Sequence, residues 1–271
     1  MPDVVHPEFR PDPSLSHDEM ETLQRELAAE AVFTDDLPFD PAAVGLSDPD
    51  ATTLTGSDAA GAEDAGGADA PLVAGVDQAF LDERVVSAVV VMRGGDVVER
   101  TYAVSPLTIP YIPGLLAFRE GGPILDALAT LEADPDLYVF DGSGRIHYRQ
   151  AGIATHIGVT LDAPAVGVAK SLLCGEPKAD VDGHEAGWRT PVVADDSVEA
   201  PDGTVIGYAF QSRQYENRRI INPLYVSPGH RVGADTTVDL VEALCGDYKL
   251  PEPTRRADAY ADEAKTDVLE N

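Results

Sequence analysis

The chain has 271 residues, of which 48 are acidic and 19 are basic, so its formal net charge is −29. Hydrophobic residues make up 44%, an ordinary share for a globular protein, and no apolar run approaches the roughly 20 residues that span a bilayer. The N-terminus shows no basic stretch followed by an apolar core. We therefore expect a cytoplasmic protein with no membrane partner.

The acidic charge has two interpretations. An acidic protein is a poor partner for nucleic acid, because cationic side chains supply most of the affinity for phosphate. The acids are instead spread along the whole chain, as on a surface adapted to concentrated salt, where charge repulsion is screened within about 3 Å at 1 M. Residues 1–70 contribute −15, whereas residues 205–235 contribute +2. We expect a protein from the cytoplasm of a halophile.

The first predicted element is a helix over residues 14–33, where Ser16 and Glu19 have the spacing of a capping box. The next segment holds nine acids and no Lys or Arg, and it buries too little apolar surface to offset the entropy of ordering. The predicted units are an N-terminal segment with a helix (1–33), an acidic flexible linker (34–70), a globular domain (71–257) and an acidic C-terminal tail (258–271).

Short apolar runs bounded by turns begin at Pro71. Three successive strands are predicted, with Gly94 and Gly95 in a tight hairpin between the second and the third. The predicted strands are 71–77, 85–92, 96–104, 136–142 and 164–170, and the predicted helices are 113–131, interrupted at Gly121-Gly122-Pro123, then 155–162 and 235–246. Strands followed by alternating strands and helices predict an α/β domain with a central mixed sheet flanked by helices.

Two aspartates follow apolar runs directly. Asp77 and Asp141 each come after four to six apolar residues, which places them at the carboxyl ends of strands, the edge where open α/β sheets form their sites. Two carboxylates brought together there repel each other unless a hard cation such as Mg²⁺ holds them. The alternative is that each Asp is only a turn former or helix cap.

Donor groups surround the second aspartate. The turn after Asp141 contains Gly142, which lets backbone approach a ligand, and His147, which brings a donor. Lys170 ends another strand-like run, where a lone cation suits a phosphate. The alternatives are an ordinary glycine turn and a surface lysine with a partly buried stem.

A stiff apolar segment lies at residues 108–120. Pro110 and Pro113 flank Tyr111 and Ile112 and restrict the backbone, so that an aromatic and a β-branched side chain are held on a rigid turn. Such a wedge can separate stacked bases. The following helix brings Glu120 within reach of the predicted metal edge, whereas a hydrophobic loop packed on the core is the alternative.

A third polar group lies at residues 227–235, where a loop enters a helix. His230 has the chemistry of a general acid or base, or of a phosphate donor. Asp235 has the spacing of a helix cap, which we favour over a further metal ligand.

These motifs occur in the order of a known family. Following AGVD at 74–77, the segments TIPYIPGLLAFRE, LYVFDGSGRIHYRQAGIATHIGV, PAVGVAKSLLCG and NPLYVSPGHRV resemble endonuclease V, a deoxyinosine-directed nuclease with a ribonuclease H-like fold. The match runs from about Leu72 to Ala257 and includes YKLPEPTRRAD. The acidity points to a member of halophilic archaeal type.

The resemblance implies a role for each motif. Asp77 and Asp141 correspond to carboxylates that bind Mg²⁺, for which Mn²⁺ is an expected substitute, and Glu120 is the third acid. The remaining implied residues are a lesion wedge (Tyr111, Ile112, Pro113), a base pocket (Gly114, Leu116, Gly142) and polar members of the catalytic region (His147, Lys170, His230). Asp235 is a candidate supporting acid on its position in the chain alone.

The resemblance also implies a reaction. The family cleaves the second phosphodiester bond 3′ to deoxyinosine in DNA, with 5′-phosphate products, and we expect a monomer acting on such DNA. Three alternatives stay open: an endoribonuclease specific for inosine in RNA, a non-catalytic ribonuclease H-like module that binds nucleic acid, and a junction resolvase. Gln78, where the family commonly has a small or β-branched residue, and the acidic insert 34–70 depart from the family pattern.

Overall fold

A computed structural model describes residues 2–46, 70–214 and 221–270. Nine strands form one sheet in the order β3-β2-β1-β4-β5-β9-β8-β7-β6. Their bounds are β1 Leu72–Phe80, β2 Arg84–Arg93, β3 Asp96–Pro106, β4 Leu137–Asp141, β5 Ala165–Ala169, β6 Glu176–Pro177, β7 Arg189–Val193, β8 Val205–Phe210 and β9 Leu224–His230.

The sheet is mixed, as the sequence predicts. Strand β4 pairs in parallel with both β1 and β5, and all the other pairs are antiparallel. The carboxyl ends of β1, β4 and β5 therefore lie at one edge of the sheet, where a site is expected.

Five α-helices accompany the sheet in the described part of the chain. They are α1 His17–Glu30, α2 Leu116–Leu128, α3 Ile153–Leu161, α4 Ala234–Ala243 and α5 Glu252–Glu270. Side chains alternate along β1, so that Ala74 and Val76 pack with α2 and α3 on one face while Val73 belongs to the core beneath α4. None of these helices is long and apolar enough to cross a membrane.

Helix α1 begins as predicted. The Ser16 side chain accepts a hydrogen bond from the Glu19 backbone N–H, and Glu19 accepts one from the Ser16 N–H, which completes the capping box. The segment before this helix is held by the buried ring of His156, whose Nε2 lies 2.7 Å from the Phe9 carbonyl oxygen.

The predicted interruption of α2 is wrong. The helix runs through Gly121-Gly122-Pro123 with Pro123 inside it. Most of its length is buried, and a Cβ at Gly121 would stand 2.7 Å from Pro11 Cγ, so the glycine permits a close contact. Apolar burial and this contact outweigh the backbone hydrogen bond that the proline removes.

The first part of the predicted linker is packed on the domain. Val44 is buried in the core beneath α4, and the Asp35 carboxylate accepts hydrogen bonds from Gly233 N at 2.7 Å and Thr236 Oγ1 at 2.6 Å. The cap residue of α4 is Gly233, so the helix-cap prediction for Asp235 is wrong. The Gly233 N–H at the start of this helix donates to Asp35, and Asp235 instead accepts a hydrogen bond from Tyr208. Residues 47–69 of the linker lie outside the described residues.

The predicted boundary at residue 257 falls inside a helix. Residues 258–270, expected as a tail, continue α5. Ala257, Ala261 and Ala264 recur at helical spacing and are buried against β1 and β2. The helix is therefore part of the globular domain.

The buried His156 predicts a pH-dependent difference in stability. Burial lowers the pKa of His156 to about 4, so below its ordinary value of 6.5 the unfolded chain takes up a proton that the folded protein excludes. His156 therefore contributes less stability as the pH falls from 6.5 towards 4. For His156→Gln, the loss in free energy of unfolding relative to wild type should be about 2 kcal/mol smaller at pH 5 than at pH 7.

Denaturant unfolding of both proteins at one fixed KCl concentration measures this difference. The same loss at both pH values would contradict the assignment of a neutral buried histidine.

Candidate active site

Asp77 and Asp141 lie side by side at the carboxyl edge of the sheet. Val76 and Phe140 are the last paired residues of β1 and β4, and each aspartate comes next along its strand. The two side chains point to the same face, because Val73 and Val139 of the same strands pack into the core on that face. The predicted pair of carboxylates is therefore present.

The pair carries an electrostatic cost. Burial, followed by the charge of Asp141, raises the pKa of Asp77 well above its ordinary value. Lys170 Nζ lies 2.6 Å from Asp141 Oδ2 and compensates part of the negative charge. Burial lowers the pKa of Lys170, but the contact with Asp141 and the charge of Asp77 outweigh it and raise the pKa.

Glu120 reaches the same region from α2. Its carboxylate is buried, and burial raises its pKa to about 7 although Arg119 Nη1 lies 2.9 Å from Oε1 and opposes the shift. The charge of Asp141 also raises this pKa, so the two acids interact. Gln78 Nε2 donates to Ser87 Oγ at 2.6 Å and to the Glu120 carbonyl at 3.3 Å, so this unusual residue joins β1 to α2.

A fourth acid, Asp258, acts electrostatically on the same groups and is not among the site residues that the motifs predict. The negative charge of Asp258 on α5 raises the pKa values of both Asp77 and Lys170. A Cβ at Gly75 would stand 2.1 Å from the Pro253 carbonyl carbon, so α5 begins in direct contact with β1 and carries Asp258 to the edge. The signal in the sequence is the spacing of the buried alanines beside Asp258, which predicts a helix docked on the sheet.

The donor set fits a hard divalent cation. Within the described residues, no three His, Cys, Asp or Glu side chains come together closely enough to form a metal site alone. Mg²⁺ is commonly bound through one or two carboxylates, with waters and substrate phosphate completing its octahedral coordination. Asp77 and Asp141 are such a pair, and a cation beside them would offset the repulsion that raises the pKa of Asp77.

The predicted wedge lies on the surface. Tyr111 is 62% exposed, whereas Ile112 packs against the core formed by Met20, Leu115 and Phe118. Pro113 is also exposed. An exposed ring on an anchored turn is the arrangement that a wedge requires.

The turn behind the wedge is held by a buried histidine. Gly114 has a φ of +80°, a conformation that favours glycine, and Leu116 begins α2. His147 Nδ1 accepts from the Arg149 N–H at 3.2 Å, so its Nε2 carries the proton and donates to the Gly114 carbonyl at 3.0 Å. Burial, then the charge of Arg149, lowers the pKa of His147 to about 4, which keeps the ring neutral.

The second glycine of the predicted pocket follows β4. Gly142 has a φ of +151°, and a Cβ there would stand 2.6 Å from Ile153 Cγ2, so a larger residue is excluded. Its N–H donates to the Val168 carbonyl at 3.0 Å. The glycine therefore allows the chain to turn closely behind Asp141.

Two predicted residues lie away from the acids. His230 pairs with Ala165 at the start of β5, whereas Lys170 follows the end of that strand, roughly 17 Å away at ~3.3 Å per residue. His230 Nε2 lies 3.1 Å from Asp162 Oδ1, and Nδ1 accepts from the Val32 N–H at 3.2 Å. This geometry does not support a catalytic role for His230, whose contacts anchor the N-terminal segment. Among the described residues, Asp235 contacts Tyr208 and not the acids.

A mixed α/β sheet with clustered carboxylates at the carboxyl ends of its central strands defines a ribonuclease H-like nuclease. The family model for endonuclease V matches residues 58–259. The chain belongs to the endonuclease V family, a family of hydrolases that cut nucleic acid.

Similar proteins support both the family and the salt adaptation. The endonuclease V proteins of the halophilic archaea Natronomonas pharaonis and Haloarcula marismortui are each 59% identical to the chain. Each alignment covers 97% of this chain, together with 97% of the Natronomonas protein and 98% of the Haloarcula protein. The crystal structure of endonuclease V from Streptomyces avermitilis matches with a TM-score of 0.72 at 31% identity, over 97% of this chain and 98% of that one. The predicted halophilic archaeal type is confirmed.

The contact between Gly75 and α5 gives a prediction about stability. Gly75→Ala places a methyl group against the Pro253 backbone, and the strain should lower the free energy of unfolding by about 1–3 kcal/mol and displace Asp258. The matched control is Gly122→Ala, where no atom lies within 4 Å and the better helix former should raise stability by about 1 kcal/mol. Denaturant unfolding at constant KCl compares them, and a Gly75→Ala protein as stable as wild type would refute this docking.

Proposed function

We propose that the protein is a Mg²⁺-dependent endonuclease that recognises deoxyinosine in DNA and cleaves the second phosphodiester bond 3′ to it. The observation that carries the proposal is the pair Asp77 and Asp141 at the ends of adjacent parallel strands, with Glu120 close enough to feel the charge of Asp141, in a chain of the endonuclease V family. Mn²⁺ is the expected substitute for Mg²⁺.

Asp77 and Asp141 would hold the cation. When bound, Mg²⁺ supplies an activated water and stabilises the departing 3′ oxygen. Lys170, half-exposed and charged, can bind a non-bridging phosphate oxygen of the substrate. Glu120, whose pKa is raised to about 7, can exchange a proton with solvent or substrate near neutral pH.

Lesion recognition would depend on the wedge and the turn behind it. Flipping a base out of the duplex costs a few kcal/mol and costs least at a weakened pair such as that of deoxyinosine. Tyr111 is exposed and can fill the gap, while backbone at Gly114 and Gly142 can line a narrow pocket. Hypoxanthine lacks the exocyclic amine of guanine and has a carbonyl in place of the amine of adenine, so a narrow pocket can reject both normal purines.

Inosine-containing RNA is the second candidate substrate. The carboxylate site can act on a phosphodiester bond of DNA or of RNA, and a protein contact to the 2′-OH would distinguish RNA from DNA. Cleavage of matched deoxyinosine and inosine oligonucleotides in Mg²⁺ and high KCl decides between the two. Failure to cleave either oligonucleotide would refute the proposed nuclease activity. Preferential cleavage of a four-way junction, added as a third substrate, would support a resolvase.

Asp141→Asn should reduce deoxyinosine cleavage by at least a thousandfold, because the variant loses one charged metal ligand while keeping the side-chain shape. Binding to a deoxyinosine duplex should persist, because the wedge and the pocket are unchanged. The matched control is Asp239→Asn on α4, which removes a surface acid paired with Arg189 and should keep full activity. Full activity in Asp141→Asn would contradict the metal assignment.

Tyr111→Ala should weaken lesion handling without unfolding the protein, since 62% of the residue is exposed. We expect a loss of about ten- to a hundredfold in cleavage of a deoxyinosine duplex, corresponding to about 1–3 kcal/mol of base–aromatic stacking. Single-turnover rates on duplex and single-stranded deoxyinosine measure it. Unchanged turnover together with unchanged lesion preference would mean that Tyr111 is not a wedge.

A further inference from the structure

One backbone carbonyl collects an unusual set of donors. The Gly114 oxygen lies 2.9 Å from Gln24 Nε2, 3.0 Å from His147 Nε2 and 3.3 Å from Arg149 Nη2. The next peptide nitrogen, of Leu115, donates to the Ile112 carbonyl at 3.0 Å. The peptide unit after Gly114 is therefore held at both ends.

The donors are themselves fixed by helix α1. Arg149 Nε donates to Gln24 Oε1 at 2.7 Å, and its Nη1 donates to Glu21 Oε1 at 2.9 Å. Gln24 is fully buried and Arg149 is 9% exposed, so the bond between them forms away from solvent, whereas the bond to Glu21 is partly buried. A buried polar network of this kind has one arrangement in which every donor is satisfied, which makes it rigid.

The network lies directly behind the wedge and the proposed base pocket. Gly114 follows the wedge residues without a break and has a left-handed backbone that its neighbours must maintain. The donors come from α1 (Gln24) and from the loop after β4 (His147 and Arg149). None of these donors is one of the acids at the sheet edge, so the groups that hold the Gly114 turn are distinct from those that would carry out the chemistry.

We propose that Gln24 and Arg149 are positioning residues that hold the Gly114 turn in the shape that accepts the flipped lesion base. The inference rests on the proposed lesion recognition. Gln24 donates to the Gly114 carbonyl through Nε2 and accepts from Arg149 through Oε1, so one amide side chain links the two. The N-terminal helix is thereby part of the specificity apparatus of the nuclease.

The test compares affinities for two duplexes that differ only in a deoxyinosine or an adenine at one position. Fluorescence anisotropy without divalent cation at fixed KCl keeps the strands intact and the phosphate contacts equal. Gln24→Met keeps the side-chain length and loses both hydrogen bonds, and Arg149→Lys keeps the charge but cannot reach all its acceptors. Each should weaken deoxyinosine binding about tenfold and leave binding to the undamaged duplex unchanged.

Ser16→Ala is the matched control, because it removes the cap of α1 without touching the network. It should lower the unfolding midpoint by about 2–4 °C and leave the affinity ratio unchanged. An unchanged ratio in both network variants, or equal weakening of both duplexes, would overturn the positioning role. A wild-type protein that binds the two duplexes equally would overturn the proposed lesion recognition as well, which distinguishes the two failures.

Discussion

The candidate site depends on two partly buried carboxylates that the sheet holds together at one edge. Asp77 and Asp141 follow adjacent parallel strands and face the same side, so their repulsion must be compensated. Lys170 compensates part of it, and a divalent cation would compensate more. The parallel register of β1 with β4, and the close contact of α5 with Gly75, keep this costly arrangement in place.

The proposed lesion contacts lie on a second, separately stabilised part of the molecule. The wedge at Tyr111 and the turn at Gly114 depend on hydrogen bonds from α1 and from the loop after β4. This division suits a protein with a net charge of −29, because concentrated salt weakens phosphate contacts steeply. Recognition through a wedge, a pocket and a metal is less sensitive to salt than recognition through a basic surface.

The sequence predicts what depends on local patterns. The α/β class, the capping box of Ser16 and the place of Asp77 and Asp141 follow from strand and helix periodicity. What the sequence does not predict is long-range packing: antiparallel β9 carries His230 to the end of β5 that lies away from the acids. Asp258 was missed because the docking of α5 depends on contacts with a strand about 180 residues earlier. At the start of α4, near Asp235, the Gly233 N–H donates to Asp35. Because these two residues are far apart in the sequence, no local spacing predicts the bond.

The central claim is that the pair at the sheet edge binds the catalytic cation. A crystal structure of the protein with Mg²⁺ and cleaved deoxyinosine DNA tests it most directly. We expect Mg²⁺ bonded to an oxygen of Asp77 and an oxygen of Asp141 at about 2.0–2.1 Å, with the product phosphate beside it. Mg²⁺ bound elsewhere, with Asp77 and Asp141 away from both metal and phosphate, would contradict this assignment.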